Sequence, residues 1–174
     1  MAGHSRWKQI KEKKGKADVK RGREFSKLLQ LIAVQAKTEK NPDFNPGLRA
    51  AIARAKEAKV PSENIERAIE KAAAGGAAEE FTLEAYGPGG TALIIRALTD
   101  NKNRTVQEIK NILRDGGGRL AAPRSVVWAF TNESGEWRPK FPGNFGEEDK
   151  NKTRELIENL KNLDDVHDVY HNLP

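Results

Sequence analysis

The chain has 174 residues, with 31 Lys and Arg against 25 Asp and Glu, a net charge of +6. At 37% hydrophobic and 32% charged residues it has the composition of a polar globular protein of one or two domains. No stretch approaches the roughly 20 apolar residues of a membrane span, and residues 1–30 lack the apolar core of a secretory signal. The absence of cysteine excludes disulfides and thiolate metal sites, so the expected location is cytoplasmic.

The charge is concentrated at one end. Residues 1–30 carry ten basic residues against three acids, a net +7, so the other 144 sum to −1. Residues 79–174 alone are 13 basic against 16 acidic. A basic end on a nearly neutral body suits a polyanionic partner.

In chain order, residues 1–20 read as a basic N-terminal arm. Their apolar content is little beyond Trp7, Ile10 and Val19, so the arm is expected to stay extended until it binds. Residues 21–78 read as a three-helix bundle. Phe25, Leu28, Leu29, Ile32 and Ala36 make one amphipathic stripe, and Leu48, Ala51, Ile52 and Ala55 a second. Ile65, Ala68, Ile69 and Ala72 make the third, with Ser62 as the expected N-cap. A run of Ala and Gly at 72–78 then ends the bundle.

Residues 79–174 change to a period of two. Phe81, Leu83 and Ala85 alternate with polar neighbours, Gly87-Pro88-Gly89-Gly90 turns, and residues 91–98 form a nearly continuous apolar strand. Thr105 and Glu108 predict a capping box for a helix buried through Val106, Ile109, Ile112 and Leu113, which Gly116-Gly117-Gly118 ends. Residues 125–130 predict a strand and 131–150 a long loop. A helix with Leu156, Leu160 and Leu163 inward and a short strand at 166–170 complete the order. The fold class is α+β: the bundle, then a ferredoxin-like sandwich with a mainly antiparallel sheet.

Lys and Arg on the arm would release counterions from nucleic acid, and Trp7, between Arg6 and Lys8, could stack on an unpaired base. The bland alternative is a solvated tail with Trp7 folded onto the bundle. Gly3-His4-Ser5 lacks an orienting acid and is not read as catalytic. His167 and His171 with Asp164, Asp165 and Asp168 resemble metal ligands by type, but on a strand the two histidines are about 13 Å apart, too far to share an ion, and a polar edge strand is the preferred reading. Neither glycine run is a phosphate loop. Residues 100–105 offer Lys102, Arg104 and helix N-terminal amides to an RNA phosphate; alternatively Asn101 and Asn103 shape the turn and Thr105 caps the helix. No enzyme activity, cofactor, metal, membrane or small-molecule substrate is expected.

Several motifs resemble the YebC/PmpR family. They are Met1-Ala2-Gly3-His4-Ser5-Arg6-Trp7, Lys20-Arg21-Gly22 with Phe25-Ser26-Lys27, and Ala58-Lys59-Val60-Pro61 with Asn64-Ile65 and Ala68-Ile69. Tyr86-Gly87-Pro88-Gly89-Gly90, Thr99-Asp100-Asn101-Lys102-Asn103-Arg104-Thr105, Leu163-Asp164-Asp165-Val166 and Val169-Tyr170-His171-Asn172 follow in order. The resemblance implies that longer relatives insert a third α+β domain after the strand at 125–130, which residues 131–150 replace here with a loop. It implies either a ribosome-associated translation factor, easing synthesis of difficult sequences such as proline runs, or a DNA-binding transcriptional regulator. With no recognition helix evident, ribosomal RNA is the preferred partner and promoter DNA the alternative. The expected contacts are His4, Arg6 and Trp7 at the tip, then Lys8, Lys11, Lys13, Lys14, Lys20, Arg21, Arg23 and Lys27, with Lys102 and Arg104.

Overall fold

The computed structural model describes residues 3–75, 78–133 and 136–174, with side chains from Lys14 onward except Lys16. It divides into two units, Met1–Ala77 and Ala78–Pro174.

The first unit holds three helices, α1 (Gly3–Ala36), α2 (Pro46–Glu57) and α3 (Ser62–Ala73). The three apolar stripes meet in one core, in which Ile32 and Ala36 of α1 pack with Leu48, Ala51 and Ala55 of α2 and with Ile65 and Ala72 of α3. Asn45 joins two helix ends. Its Oδ1 accepts the Leu48 N–H at 2.9 Å, capping α2. Its Nδ2 donates to Gln35 O and Glu39 O at the end of α1, each at 2.8 Å. Ser62 does not cap α3: it is the first helical residue, Pro61 occupies the cap position, and no side chain serves that end. Proline fixes its own φ near the value this chain entry needs, which replaces the hydroxyl cap with backbone restriction.

The arm is not extended. Helix α1 begins at Gly3 and runs unbroken for 34 residues, about 50 Å. Residues 3–24 contain no proline and only Ile10 and Val19 as β-branched residues, while Lys, Arg, Glu, Gln and Ala are strong helix formers. Glu12 also lies four residues before Lys16, a favourable spacing.

The second unit is built on a four-stranded antiparallel sheet in the order β3-β1-β2-β6. β1 (Glu79–Tyr86) and β2 (Ala92–Thr99) form its central hairpin, while β3 (Arg119–Leu120) and β6 (Val166–His171) form its edges. Helix α4 (Lys102–Asp115) joins β2 to β3 with β1 lodged between, the split β-α-β unit of ferredoxin-like sandwiches. Leu93, Ile95 and Ala97 of β2 face α4 and α5 (Glu147–Lys161), against Ile109, Leu113, Leu156 and Leu160. Ala92 and Ile94 face the opposite way, against Val126, Ala129 and Phe130. Burial on both faces is why β2 reads as a continuous apolar run.

The expected strand at 125–130 is instead a turn followed by a 3-10 segment, Val127–Ala129. A carboxylate decides this. Glu84 of β1 accepts the backbone N–H groups of Arg124, Val126 and Val127 at 2.5, 2.6 and 3.0 Å, drawing the segment over the sheet face rather than along its edge. The expected loop at 131–150 contains a second sheet, the hairpin of β4 (Phe130–Glu133) and β5 (Glu136–Pro139), and α5 starts at its end. Helix α4 starts three residues before Thr105, with Asn101 as its N-cap accepting the Arg104 N–H at 3.1 Å.

Two glycines should respond oppositely to alanine. A Cβ on Gly118 would lie 2.7 Å from the Tyr86 carbonyl oxygen, beside the β1–β3 pairing, whereas one on Gly15 meets nothing within 4 Å. Gly118→Ala should lower stability by about 1–3 kcal/mol in urea denaturation. Gly15→Ala should increase helical ellipticity, in line with a propensity gain of about 1 kcal/mol.

Candidate nucleic-acid interface

The basic residues of α1 fall into two regions. Packing against α2 and α3 begins near Phe25, and from Lys14 to Gly22 every described side chain is exposed. At 100° per residue, Lys20, Arg23 and Lys27 lie on the side of α1 opposite the Phe25–Leu28–Leu29–Ile32–Ala36 stripe. One helix therefore presents a core face and a cationic face. Lys14 and Arg21 share the other side, ahead of the packed segment, and Arg21 pairs with Asp18 at 3.4 Å. The side chains of His4, Arg6, Trp7, Lys8, Lys11 and Lys13 lie outside the described ones; their backbone belongs to α1.

Lys102 and Arg104 belong to the second unit and have partners within it. The Lys102 ammonium stands 5.1 Å from the centroid of the Phe81 ring. Arg104 Nη2 bonds Asp165 Oδ2 at 2.8 Å and Asp100 Oδ1 at 3.3 Å. Hydrogen bonding to Asp165 and its charge hold the guanidinium above its ordinary pKa. The same Asp165 oxygen accepts the Thr99 hydroxyl at 2.9 Å and the Thr105 hydroxyl at 2.6 Å, and the carboxylate is nearly buried. Thr99 Oγ1 in turn accepts the Asn101 N–H at 3.0 Å. The residue-100 turn and the start of β6 are thus one knot tying the end of β2 to α4. Sequence reasoning weighed Asn101, Arg104 and Thr105 at this turn and Asp165 only with the histidines of the last strand, and missed that the two motifs meet. The signal was two separated polar motifs, each with more polar side chains than its own turn needs.

Among the described residues, no group of three or more His, Asp or Glu side chains is placed to hold a metal ion. None of the helices described is long and apolar enough to cross a membrane. His171 carries a buried Nδ1 without a hydrogen-bond partner. Burial pushes its pKa below the ordinary value of 6.5, and the positive charges of Lys161 and Arg154 add to this.

Comparison with known proteins places these features in a family. A family model described as the TACO1/YebC protein N-terminal domain matches residues 5–75, and one described as the TACO1/YebC second and third domain matches residues 78–135. A protein of Acidobacterium capsulatum named "Probable transcriptional regulatory protein" is 47% identical over 133 residues, 75% of this chain and 54% of that protein. A protein of Dictyoglomus thermophilum with the same name is 50% identical over 137 residues, 76% of this chain and 55% of that protein. The chain thus spans about half the length of the curated relatives it matches. The crystal structure of the conserved hypothetical protein Aq1575 from Aquifex aeolicus superposes with a TM-score of 0.82 at 30% identity, covering 88% of this chain and 90% of that one.

Two outcomes test the second unit. Asp165→Asn should lower its stability by about 2–4 kcal/mol in urea denaturation, because it weakens three hydrogen bonds and leaves Arg104 with one carboxylate fewer. Lowering pH should destabilise the unit through His171. The folded pKa lies below 6.5, so the unfolded chain holds more protons as pH falls through that value, and folding weakens. Melting temperatures between pH 7 and 5 should fall, and His171→Gln should flatten that slope. Glu147 and Glu148, held below their ordinary 4.5 by Lys150 and Lys152, titrate outside this window.

Proposed function

Because the chain belongs to the TACO1/YebC family, we propose that it is a nucleic-acid-binding regulatory factor that acts on the ribosome. In this reading it contacts ribosomal RNA and eases synthesis of difficult sequences such as proline runs. It performs no acid–base chemistry itself; any rate gain comes from ordering the ribosome's own reactants. The observation that carries the reading is the charge on α1: a net +7 in the first 30 residues, on a helix whose Lys20, Arg23 and Lys27 face away from its packed stripe. Lys8, Lys11, Lys13, Lys14 and Arg21 extend this cationic segment, and His4, Arg6 and Trp7 form its tip. Arg104, already held by two carboxylates, and Lys102, over Phe81, contribute a lesser contact.

A second reading, binding to promoter DNA, is favoured by the name of the curated relatives and by the continuity of α1, since the major groove admits a helix. Seven of the ten cations in residues 1–30 are lysines, a composition suited to contacts with the phosphate backbone, which carry no sequence information.

Ribosome sedimentation separates the readings. The whole chain should co-sediment at moderate salt and a version lacking residues 2–20 should not; if the whole chain stays in the supernatant, the ribosomal reading is wrong. Promoter recognition instead requires one duplex to be bound at least ~10³-fold more tightly than random DNA at the same salt.

A further inference from the structure

We propose that Trp128, on a segment that also carries Arg119 and Arg124 and is joined by the backbone of Lys140, forms a stacking platform for an unpaired base of single-stranded RNA on the second unit. The proposal rests on the reading of this chain as an RNA-binding factor, and adds a contact far in sequence from the basic helix.

The indole is exposed yet oriented. Trp128 is 65% exposed, the most of any tryptophan side chain described, although it sits in an otherwise apolar run. Its Nε1 donates to the Ser125 carbonyl at 2.8 Å, and the Tyr86 hydroxyl donates to that same oxygen at 3.0 Å. One edge of the ring is pinned while most of it stays in water. A ring held this way loses little conformational freedom on binding a base. The backbone beneath it is equally constrained, since both carboxylate oxygens of Glu84 are engaged by the N–H groups of Arg124, Val126 and Val127. Arg124 itself adopts a left-handed φ of 68°, a conformation costly for a side-chain-bearing residue and retained here by those bonds.

The segment that carries the ring is cationic. Residues 116–132 include Arg119 and Arg124 and no acid, in a stretch, 79–174, whose net charge is −3. The Arg119 guanidinium lies 5.0 Å from the ring centroid of Tyr86, whose hydroxyl bonds the carbonyl that holds Trp128. The backbone N–H of Lys140, just past β5, donates at 2.8 Å to the carbonyl of Ala129, the residue after Trp128. An exposed aromatic face on a cationic segment suits sequence-tolerant single-strand binding: the ring stacks a base and the cations take the flanking phosphates. A protein partner would be better matched by an apolar rim. Duplex nucleic acid keeps its bases stacked internally and gains little from the ring.

The test is fluorescence anisotropy of the full chain with oligouridine of about 12 nucleotides and with an RNA hairpin of equal length. Trp128→Ala should weaken oligouridine binding about five-fold or more, Trp128→Phe should retain most of it, and the hairpin affinity should change less than about two-fold. Replacing Arg119, Arg124 and Lys140 by Gln should lower the slope of log affinity against log salt by up to about 2. Photocrosslinking of 5-iodouridine oligonucleotide to the wild-type chain should map to Trp128, which keeps the idea falsifiable if a variant is unstable. Equal oligouridine affinity for wild type and Trp128→Ala overturns the platform, as does a change confined to self-association. The parent reading fails separately: if replacing Lys8, Lys11, Lys14 and Lys20 by Gln leaves RNA binding intact while Trp128→Ala removes it, the platform stands and the helix loses its role. If wild type binds no RNA, both fall.

Discussion

A strand with no solvent face organises the second unit. β2 sends Leu93, Ile95 and Ala97 to the helices and Ala92 and Ile94 to the opposite layer, so anything covering that second face must be brought there by other means. Its polar ends do the complementary work. At one end Thr99 enters the Asp165 knot that sets where α4 begins. At the other, the buried Thr91 hydroxyl donates to Pro88 O at 2.8 Å and lies 3.3 Å from Thr153 of α5, which fixes the glycine turn against that helix. Burying every side of one strand is favourable only because its neighbours supply partners for each polar group it ends with.

Two carboxylates act as internal cross-links. Glu84 holds the backbone of 124–127 across the sheet, and Asp165 holds two hydroxyls and a guanidinium at the strand end. Neither would be placed by a hydrophobic pattern, and both bind groups distant in sequence. The acidic balance of residues 79–174 is therefore partly architectural: some of its acids are committed to internal donors.

This division explains what could be read from residues alone. The three bundle stripes, the hairpin of β1 and β2 and the buried faces of α4 and α5 rest on apolar periodicity, which survives in the structure because packing creates it. The N-terminal part of α1 carries no such period, and its described side chains from Lys14 to Gly22 are exposed; its helicity is in line with propensity, which is weak residue by residue and adds up only over the whole segment. Residues 125–130 mimic a strand in composition, and the competing interaction, Glu84, lies some 40 residues away. Trp128 escaped notice for the same reason: an apolar run assigns it to the core, whereas the turn imposed by Glu84 rotates it outward. At the site, Arg104 was visible as a charge but its neutralising partner was not, because Asp165 belongs to a motif 60 residues later.

The continuity of α1 also couples length to angle. Each residue between its packed stripe and its tip adds about 1.5 Å and turns the tip by about 100°. Adding or removing a single residue in that stretch would swing the cationic side round toward the bundle's own face. Insertions near seven or eleven residues would leave the bearing almost unchanged and move the tip outward by about 10 or 16 Å. Relatives that keep this mode of contact should therefore vary the helix in near-whole turns, so that its length behaves as a stepped quantity with the same rotational phase at each allowed value.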